Sequence, residues 1–410
     1  MAARPVHPVA AVATGSSTGL GAPGLAEELG RTAPVGSEVG FYLHVPFCER
    51  RCHYCSFNTA PQPDRAGVER YLAAAHRELA LLGGVPWARA VTVVTVFLGG
   101  GTPSLLETDD VGALVDDLRT RFTLAGDAEI TIECNPESVS RTKLEGYRAA
   151  GVSRISLGVQ SLDDRLLARL GRLHDARRAH AAFDAAHQAG FDNVSVDLMY
   201  GLPGLDLPTW RHTLETVLAW MPDHLSAYGL TLDPGSAWAS SGVPGLPVED
   251  AVVEQYWALT RAAAAHGLEH YEISNYARPR FRSRHNQIYW RAQEYLACGP
   301  GACGFVGDLR YGNVRATARY CARLEEGVLP VEDGERLDAR QRLAERLILG
   351  LRTADGVPAV WLRRRAKGDG ALSRRLGAWR EQALLVEHDD HVRLTEAGFL
   401  LSDALFVELL

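Results

Sequence analysis

The chain has 410 residues, 46% hydrophobic and 23% charged, the proportions of a globular protein long enough for two domains. A formal charge of −7 gives no electrostatic case for nucleic acid or an anionic membrane surface. No apolar run reaches the length of a membrane span, and the N-terminus lacks the charged-then-apolar layout of a signal peptide.

Residues 1–36 are rich in Ala, Gly, Pro and Ser without clear periodicity and read as a disordered tail. From Gly40 onward strands and helices alternate. Apolar, partly β-branched runs predict strands at Phe41–Val45, Val91–Leu98, Ala128–Glu133, Val152–Leu157, Val194–Leu198 and His224–Tyr228. Helical spacing lies between them, at Val68–Leu82, Val111–Phe122, Asp163–Leu170, Ala176–Ala189 and Trp210–Trp220. Serial strand–helix units argue for α/β architecture with a parallel sheet. Six units are too few for a closed eight-fold barrel, so the expected form is a partial, TIM-like (β/α)6 barrel. After Arg278 the pattern changes. His285–Phe305 is rich in Gly and aromatics, Arg340–Leu351 and Ala371–Ala383 look helical, and His391–Leu394 looks like a short strand. The expected layout is a core over 37–278 and a smaller α+β accessory domain over 279–410.

The most specific chemistry lies in Cys48, Cys52 and Cys55, spaced C-x3-C-x2-C just after the first strand. Thiolates hold iron–sulfur clusters, usually four per cluster. Three in one short loop leave one iron of a [4Fe–4S] cube open to a small molecule. A structural zinc loop is the alternative, with His44 or His53 as fourth ligand. Seven cysteines, an odd number with three clustered, fit a reducing cytoplasm better than a disulfide scaffold.

The second strand ends in Gly99-Gly-Gly-Thr-Pro-Ser104, where glycines let backbone approach a ligand. Glu133, Gln160 and Asp197 end the next three strands. Ligands in parallel α/β architectures sit at that edge, though each residue could equally cap the following helix. Arg172 could pair with a carboxylate or serve as an ordinary surface residue. Cys134 and Cys321 look structural.

The cysteine spacing, the aromatic Tyr54 before the last cysteine and the glycine turn resemble the radical S-adenosylmethionine (SAM) superfamily. In order from Tyr42 to about Phe305 the chain resembles its oxygen-independent coproporphyrinogen III oxidase family. That resemblance implies a [4Fe–4S] cluster on Cys48, Cys52 and Cys55, with SAM chelating the open iron and one electron cleaving it to a 5′-deoxyadenosyl radical. It places SAM on Tyr42, Gly100, Gly101, Thr102 and Glu133. In the oxidase a second SAM is bound, at positions that match Tyr54, Gln160, Arg172, Asp197 and Thr231, so one or two SAM molecules are implied. It also implies a flavodoxin- or ferredoxin-type electron donor.

Where the oxidase has a further cysteine, this chain has Phe57. That residue resembles the heme-chaperone (HemW-type) branch, as do His285-Asn-Gln-Ile-Tyr-Trp290 and Glu345-Arg-Leu-Ile-Leu-Gly-Leu-Arg352. The branch implies heme and an apo-hemoprotein as partners, with His285 a candidate heme ligand. His285 and Asn286 satisfying backbone groups is the plainer reading. The branch usually has histidine where this chain has Cys303, a buried hydrophobe, a thiol near the substrate or a heme thiolate. Two other functions follow from the same scaffold. One is a class C radical SAM C-methyltransferase or cyclopropanating enzyme acting on a small molecule. The other is coproporphyrinogen III dehydrogenase, which Phe57 disfavours.

Overall fold

The computed structural model describes residues 22–409. Its frame is six parallel strands near the expected runs: β1 (Glu38–Val45), β2 (Thr92–Gly100), β3 (Thr123–Cys134), β4 (Arg154–Gln160), β5 (Val194–Tyr200) and β6 (His224–Gly229). Successive strands are neighbours and every pair is parallel. Helical crossovers make that possible. The helix Leu207–Ala219 shows how they form. Asp206 caps its first turn by accepting from the Thr209 amide, a proline occupies that turn, and Trp210, Leu214, Val217 and Leu218 bury one face.

Strand alternation sorts the residues. In β5, Val194, Val196 and Leu198 join the main apolar core beneath the helices, and Asp197 turns the other way into a cavity. Likewise Leu43 and Val45 of β1, Ile155 and Leu157 of β4, and Leu225 and Ala227 of β6 are core, while Tyr42, His44, Arg154, Ser156, Ser226 and Tyr228 line the cavity. Each apolar side chain so buried contributes about 1.5–3 kcal/mol. The barrel is therefore apolar outside its strands and polar within.

The sheet continues through β7 (Glu269–Glu272), β8 (Asn275–Ala277), β9 (Tyr295–Cys298), β10 (Cys303–Val306), β11 (Leu309–Asn313) and β12 (Val331–Arg336). Its order is β12-β11-β10-β9-β1-β2-β3-β4-β5-β6-β8-β7. β9 pairs parallel to β1, and the remaining added strands pair antiparallel. β12 and β7 end the sheet without pairing to each other, so the barrel is partial, as expected.

Two expected boundaries shift. The sheet runs past Arg278 to Arg336, and a separate apolar core gathers Leu347, Leu351, Leu362, Leu376, Trp379 and Phe406. It joins the helices Ala339–Leu351, Ala359–Ala366 and Gly370–Glu381 to a three-stranded sheet of Val357–Pro358, His391–Leu394 and Leu385–His388. The large sheet thus continues to Arg336, and the second core draws mainly on residues beyond it. The change of pattern at Arg278 marks a switch from crossovers to hairpins within one core. The second shift concerns the expected tail, whose residues 1–21 lie outside the described residues. Residues 22–36 are ordered structure. The helix Ala22–Arg31 buries Leu25 and Leu29 completely, with Leu25 against Gly334 of β12, and the amides of Val35 and Gly36 donate to Glu294. No helix among the described residues is long and apolar enough to cross a membrane.

Candidate functional site

β1 feeds directly into the cysteine loop. A short parallel pair, Phe47–Cys48 with Ala60–Pro61, closes it, and the Gln62 amide donates to the Cys48 carbonyl at 2.9 Å. The loop is tied to the opposite side of the barrel. The His53 amide donates to the Leu170 carbonyl at 3.1 Å, and the Arg51 guanidinium donates to the carbonyls of Cys55 (3.2 Å) and Gly235 (3.0 Å). Cys48, Cys52 and Cys55 are half-buried free thiols. They are not drawn into a closed trio: among the described residues no three His, Cys, Asp or Glu side chains are gathered to hold a metal ion. Burial pushes the Cys48 thiol up and Cys55 up to about 11. A bound cation would supply what these thiols need to ionise.

Two donors point at the sulfurs. Thr102 Oγ1 lies 3.7 Å from Cys48 Sγ, and Arg172 Nη1 lies 3.7 Å from Cys52 Sγ. Arg172 is fixed by Asn135 Oδ1 at 2.7 Å and the Gly158 carbonyl at 2.6 Å, and Asn135 Nδ2 donates to Thr102 Oγ1 at 3.1 Å. Such outer contacts orient sulfur ligands and tune a cluster's potential. Of the two histidines weighed as a fourth zinc ligand, His44 has both ring nitrogens engaged and His53 has one. His44 bonds Tyr42 OH at 2.9 Å through Nδ1 and the Asn58 carbonyl at 2.8 Å through Nε2, and His53 Nδ1 bonds the Arg169 carbonyl at 3.0 Å. Three soft thiols with donors trained on two of them fit a [4Fe–4S] cluster.

The glycine turn passes beside this loop. A Cβ at Gly101 would sit 2.5 Å from the Phe47 carbonyl oxygen, and Gly100 has φ +115°. Only glycine fits both places. The Gly100 amide donates to Glu133 Oε2 at 3.0 Å. Glu133 opens on the cavity yet is enclosed by protein, and burial, then the Asp197 charge, pushes its carboxyl up to about 8. Burial also raises Asp197, against Arg154 and hydrogen bonds from Ser156 and Ser195.

The cavity has a volume of about 600 Å³, in the range of small-molecule sites. Of the expected positions it gathers Tyr42, Gly100, Glu133, Asp197, His285 and Cys303. Thr102 and Arg172 face the cluster loop instead, and Tyr54 lies within that loop against Trp238. Gln160 sits at a β-bulge with φ +65°, beside Gly158 and Arg172. That backbone costs roughly 1–3 kcal/mol and marks a constrained strand end. Thr231 is half-buried in the loop after β6 and does not line the cavity.

His285 does not present itself as an iron ligand. It is 0% exposed, Nδ1 bonds Thr95 Oγ1 at 2.8 Å, and Nε2 bonds Tyr289 OH at 2.8 Å. Its ring stacks on Phe97, with centroids 5.2 Å apart. Both ring nitrogens thus meet side-chain hydroxyls, where the plainer sequence reading expected backbone groups, and the residue stiffens the cavity wall. Cys303 does line the cavity, and burial pushes its thiol up to about 11. Sequence reasoning missed Asn135, Arg154, Glu272 and Arg352. Strand parity would have found Arg154, since it shares a strand face with Ser156. Arg352 closes a motif already quoted for its family likeness but carried no assigned role.

A partial (β/α)6 barrel with a three-thiol loop after β1 and a glycine turn after β2 defines a radical SAM protein. The model of the radical SAM superfamily matches residues 42–217, and that of the HemN C-terminal domain matches residues 337–401. A protein named heme chaperone HemW from Mycobacterium tuberculosis is 39% identical over 93% of this chain and 98% of its own length. One of the same name from Bacillus subtilis is 33% identical over 89% and 97%. The structure of coproporphyrinogen III oxidase HemN from Escherichia coli superposes with a TM-score of 0.80 at 22% identity, covering 95% of this chain and 93% of that one, a likeness of fold. The chain belongs to the oxygen-independent coproporphyrinogen III oxidase-like family of the radical SAM superfamily, and it groups with the HemW-type branch.

Proposed function

We propose that the protein binds a [4Fe–4S] cluster on Cys48, Cys52 and Cys55, SAM beside it, and heme, and that it acts in heme trafficking as a heme chaperone. The observation that carries this reading is the likeness, over nearly the whole chain, to relatives that bear the heme-chaperone name. It favours the chaperone over the methyltransferase and dehydrogenase alternatives. Phe57, which lines the cavity where the oxidase pattern has another cysteine, agrees with it.

When bound, the cluster and SAM supply one-electron chemistry, and the protein's share is placement and shielding. Arg172 and Thr102 hold two of the sulfurs in register. Gly100 and Gly101 keep the backbone low enough for the ligand to pass. Glu133, kept protonated near neutral pH by burial, can donate a hydrogen bond from inside the cavity. Tyr42, Phe57, Phe97, Tyr228 and Tyr289 form an aromatic wall that excludes water from a flat apolar ligand. A flavodoxin- or ferredoxin-type donor would supply the electron, an apo-hemoprotein would receive the heme, and the setting is the cytoplasm.

Anaerobic reconstitution, reduction and addition of SAM, with and without hemin, test the reading. Retained heme with little S-adenosylhomocysteine is the expected result. Joint formation of 5′-deoxyadenosine and S-adenosylhomocysteine would instead establish a two-SAM methyl-transfer enzyme.

A further inference from the structure

Arg352 reaches the cavity from the accessory domain. It follows the helix Ala339–Leu351 directly, and its backbone is stitched to the barrel. Its carbonyl accepts from the Ile273 amide at 3.1 Å, Glu272 and Thr353 form a β-bridge, and the Ala354 amide donates to the Tyr271 carbonyl at 2.9 Å. The side chain is 7% exposed and lines the cavity. A buried guanidinium is expected to spend its five N–H groups on close acceptors. Its nearest counter-charge, Glu272 Oε2, lies at 3.8 Å, beyond hydrogen-bond reach. What holds it is the Trp290 ring, with the guanidinium carbon 4.6 Å from the centroid.

The neighbourhood shares this shortfall. Arg154 Nε, Glu272 Oε2, Asn275 Oδ1, Trp290 Nε1 and Arg352 Nε are all buried without a hydrogen-bond partner, and all five side chains line the same cavity. Unpaired buried polar groups are costly, and five around one cavity mark a wall built for a polar group that is bound there. Three guanidinium groups, Arg154, Arg315 and Arg352, line the cavity among the carboxyls of Glu133, Asp197, Asp233 and Glu272. Burial raises Glu133, Asp197 and Glu272, which weakens their hold on the arginines. Burial lowers Arg352 as well, the direction that an anionic partner reverses. A planar guanidinium seated over an aromatic ring can match a carboxylate with two parallel hydrogen bonds.

We propose that Arg352, together with Arg154, forms a carboxylate-binding subsite at the junction of barrel and accessory domain, and that its ligand is a propionate of the porphyrin. This rests on the heme reading above. The accessory domain then completes the binding site, because no barrel residue supplies Arg352. The carboxylate of SAM offers the same chemistry and is separated by the test.

The full-length, cluster-reconstituted protein is titrated with hemin, with hemin dimethyl ester and with SAM, alongside Arg352→Gln and Arg352→Lys. Hemin should bind the unaltered protein about tenfold or more tighter than its ester, each tenfold being about 1.4 kcal/mol. Arg352→Gln should bring hemin down to the level of the ester, and Arg352→Lys should recover part of the difference. Equal binding of hemin and ester by the unaltered protein, a comparison that needs no variant, would overturn the propionate subsite and leave the heme reading standing. Binding of neither porphyrin would end the heme reading. The subsite is then decided by SAM alone: a loss of about tenfold in Arg352→Gln assigns the carboxylate to SAM, and no loss overturns the subsite altogether.

Discussion

Arg172 and Cys52 stand 120 residues apart in sequence, yet Arg172 Nη1 lies 3.7 Å from Cys52 Sγ. The other end of the same guanidinium is locked onto Asn135 and the Gly158 carbonyl. One side chain thus ties the cluster loop to the ends of β3 and β4.

A positive charge beside the cluster stabilises its reduced form. Arg172→Gln should therefore shift the midpoint potential of the reconstituted cluster to a more negative value. One-electron couples move about 59 mV for each tenfold change in the equilibrium, so tens of millivolts are expected. A redox titration followed by electron paramagnetic resonance reads this directly. An unchanged potential would show that Arg172 only braces Asn135.

Cys48→Ala, Cys52→Ala or Cys55→Ala should each abolish the charge-transfer absorbance of the cluster after anaerobic reconstitution, and SAM binding at the cluster with it. A full complement of iron and sulfide in any of the three would refute the ligand assignment.

Glu133 makes stability depend on pH. Its folded-state pKa of about 8 lies above the ordinary 4.5. Below pH 4.5 the carboxyl is protonated in both states and costs nothing. Between 4.5 and 8 the unfolded state loses its proton first, so the residue destabilises the fold by up to about 1.4 kcal/mol per pH unit, levelling off above 8. Glu133→Gln should match the unaltered protein in urea unfolding at pH 4.5 and be the more stable of the two at pH 8. A stability difference independent of pH would contradict the buried, protonated state.

His285→Ala should cost about 2–4 kcal/mol in chemical denaturation. It leaves Thr95 and Tyr289 hydroxyls without their partner and opens a hole beside Phe97. The absorption spectrum of bound heme should stay the same. A changed iron spectrum would restore His285 as the ligand.

The helix Ala22–Arg31 should prove part of the fold. Leu25→Ala removes a fully buried side chain and should lower the unfolding free energy by about 2–5 kcal/mol. Stability unaffected by Leu25→Ala would place the segment outside the cooperative unit.

The sequence by itself determined the strand–helix series, the clustered cysteines and the glycine turn. These are local signals: a series of apolar, partly β-branched runs, three cysteines within eight residues, a glycine run after a strand. The helix Ala22–Arg31 was hidden because two leucines among Gly and Pro make a weak pattern, and only their contact with β12 gives it stability. The continuation of the sheet past Arg278 was hidden because hairpins there changed the local period without ending the sheet. Whether His285 has a ring nitrogen to spare was equally out of reach, since its partners Thr95 and Tyr289 meet it only when β2 and the helix Arg284–Trp290 pack together. Arg154, Glu272 and Arg352 belong to strands and a helix far apart in the chain, and their shared cavity exists only after the barrel curls and the accessory domain docks on β7. Sequence carries what neighbouring residues decide through backbone preference and hydrophobic period. Which distant polar groups share one buried space, and which of them are left unpaired there, is settled by packing alone.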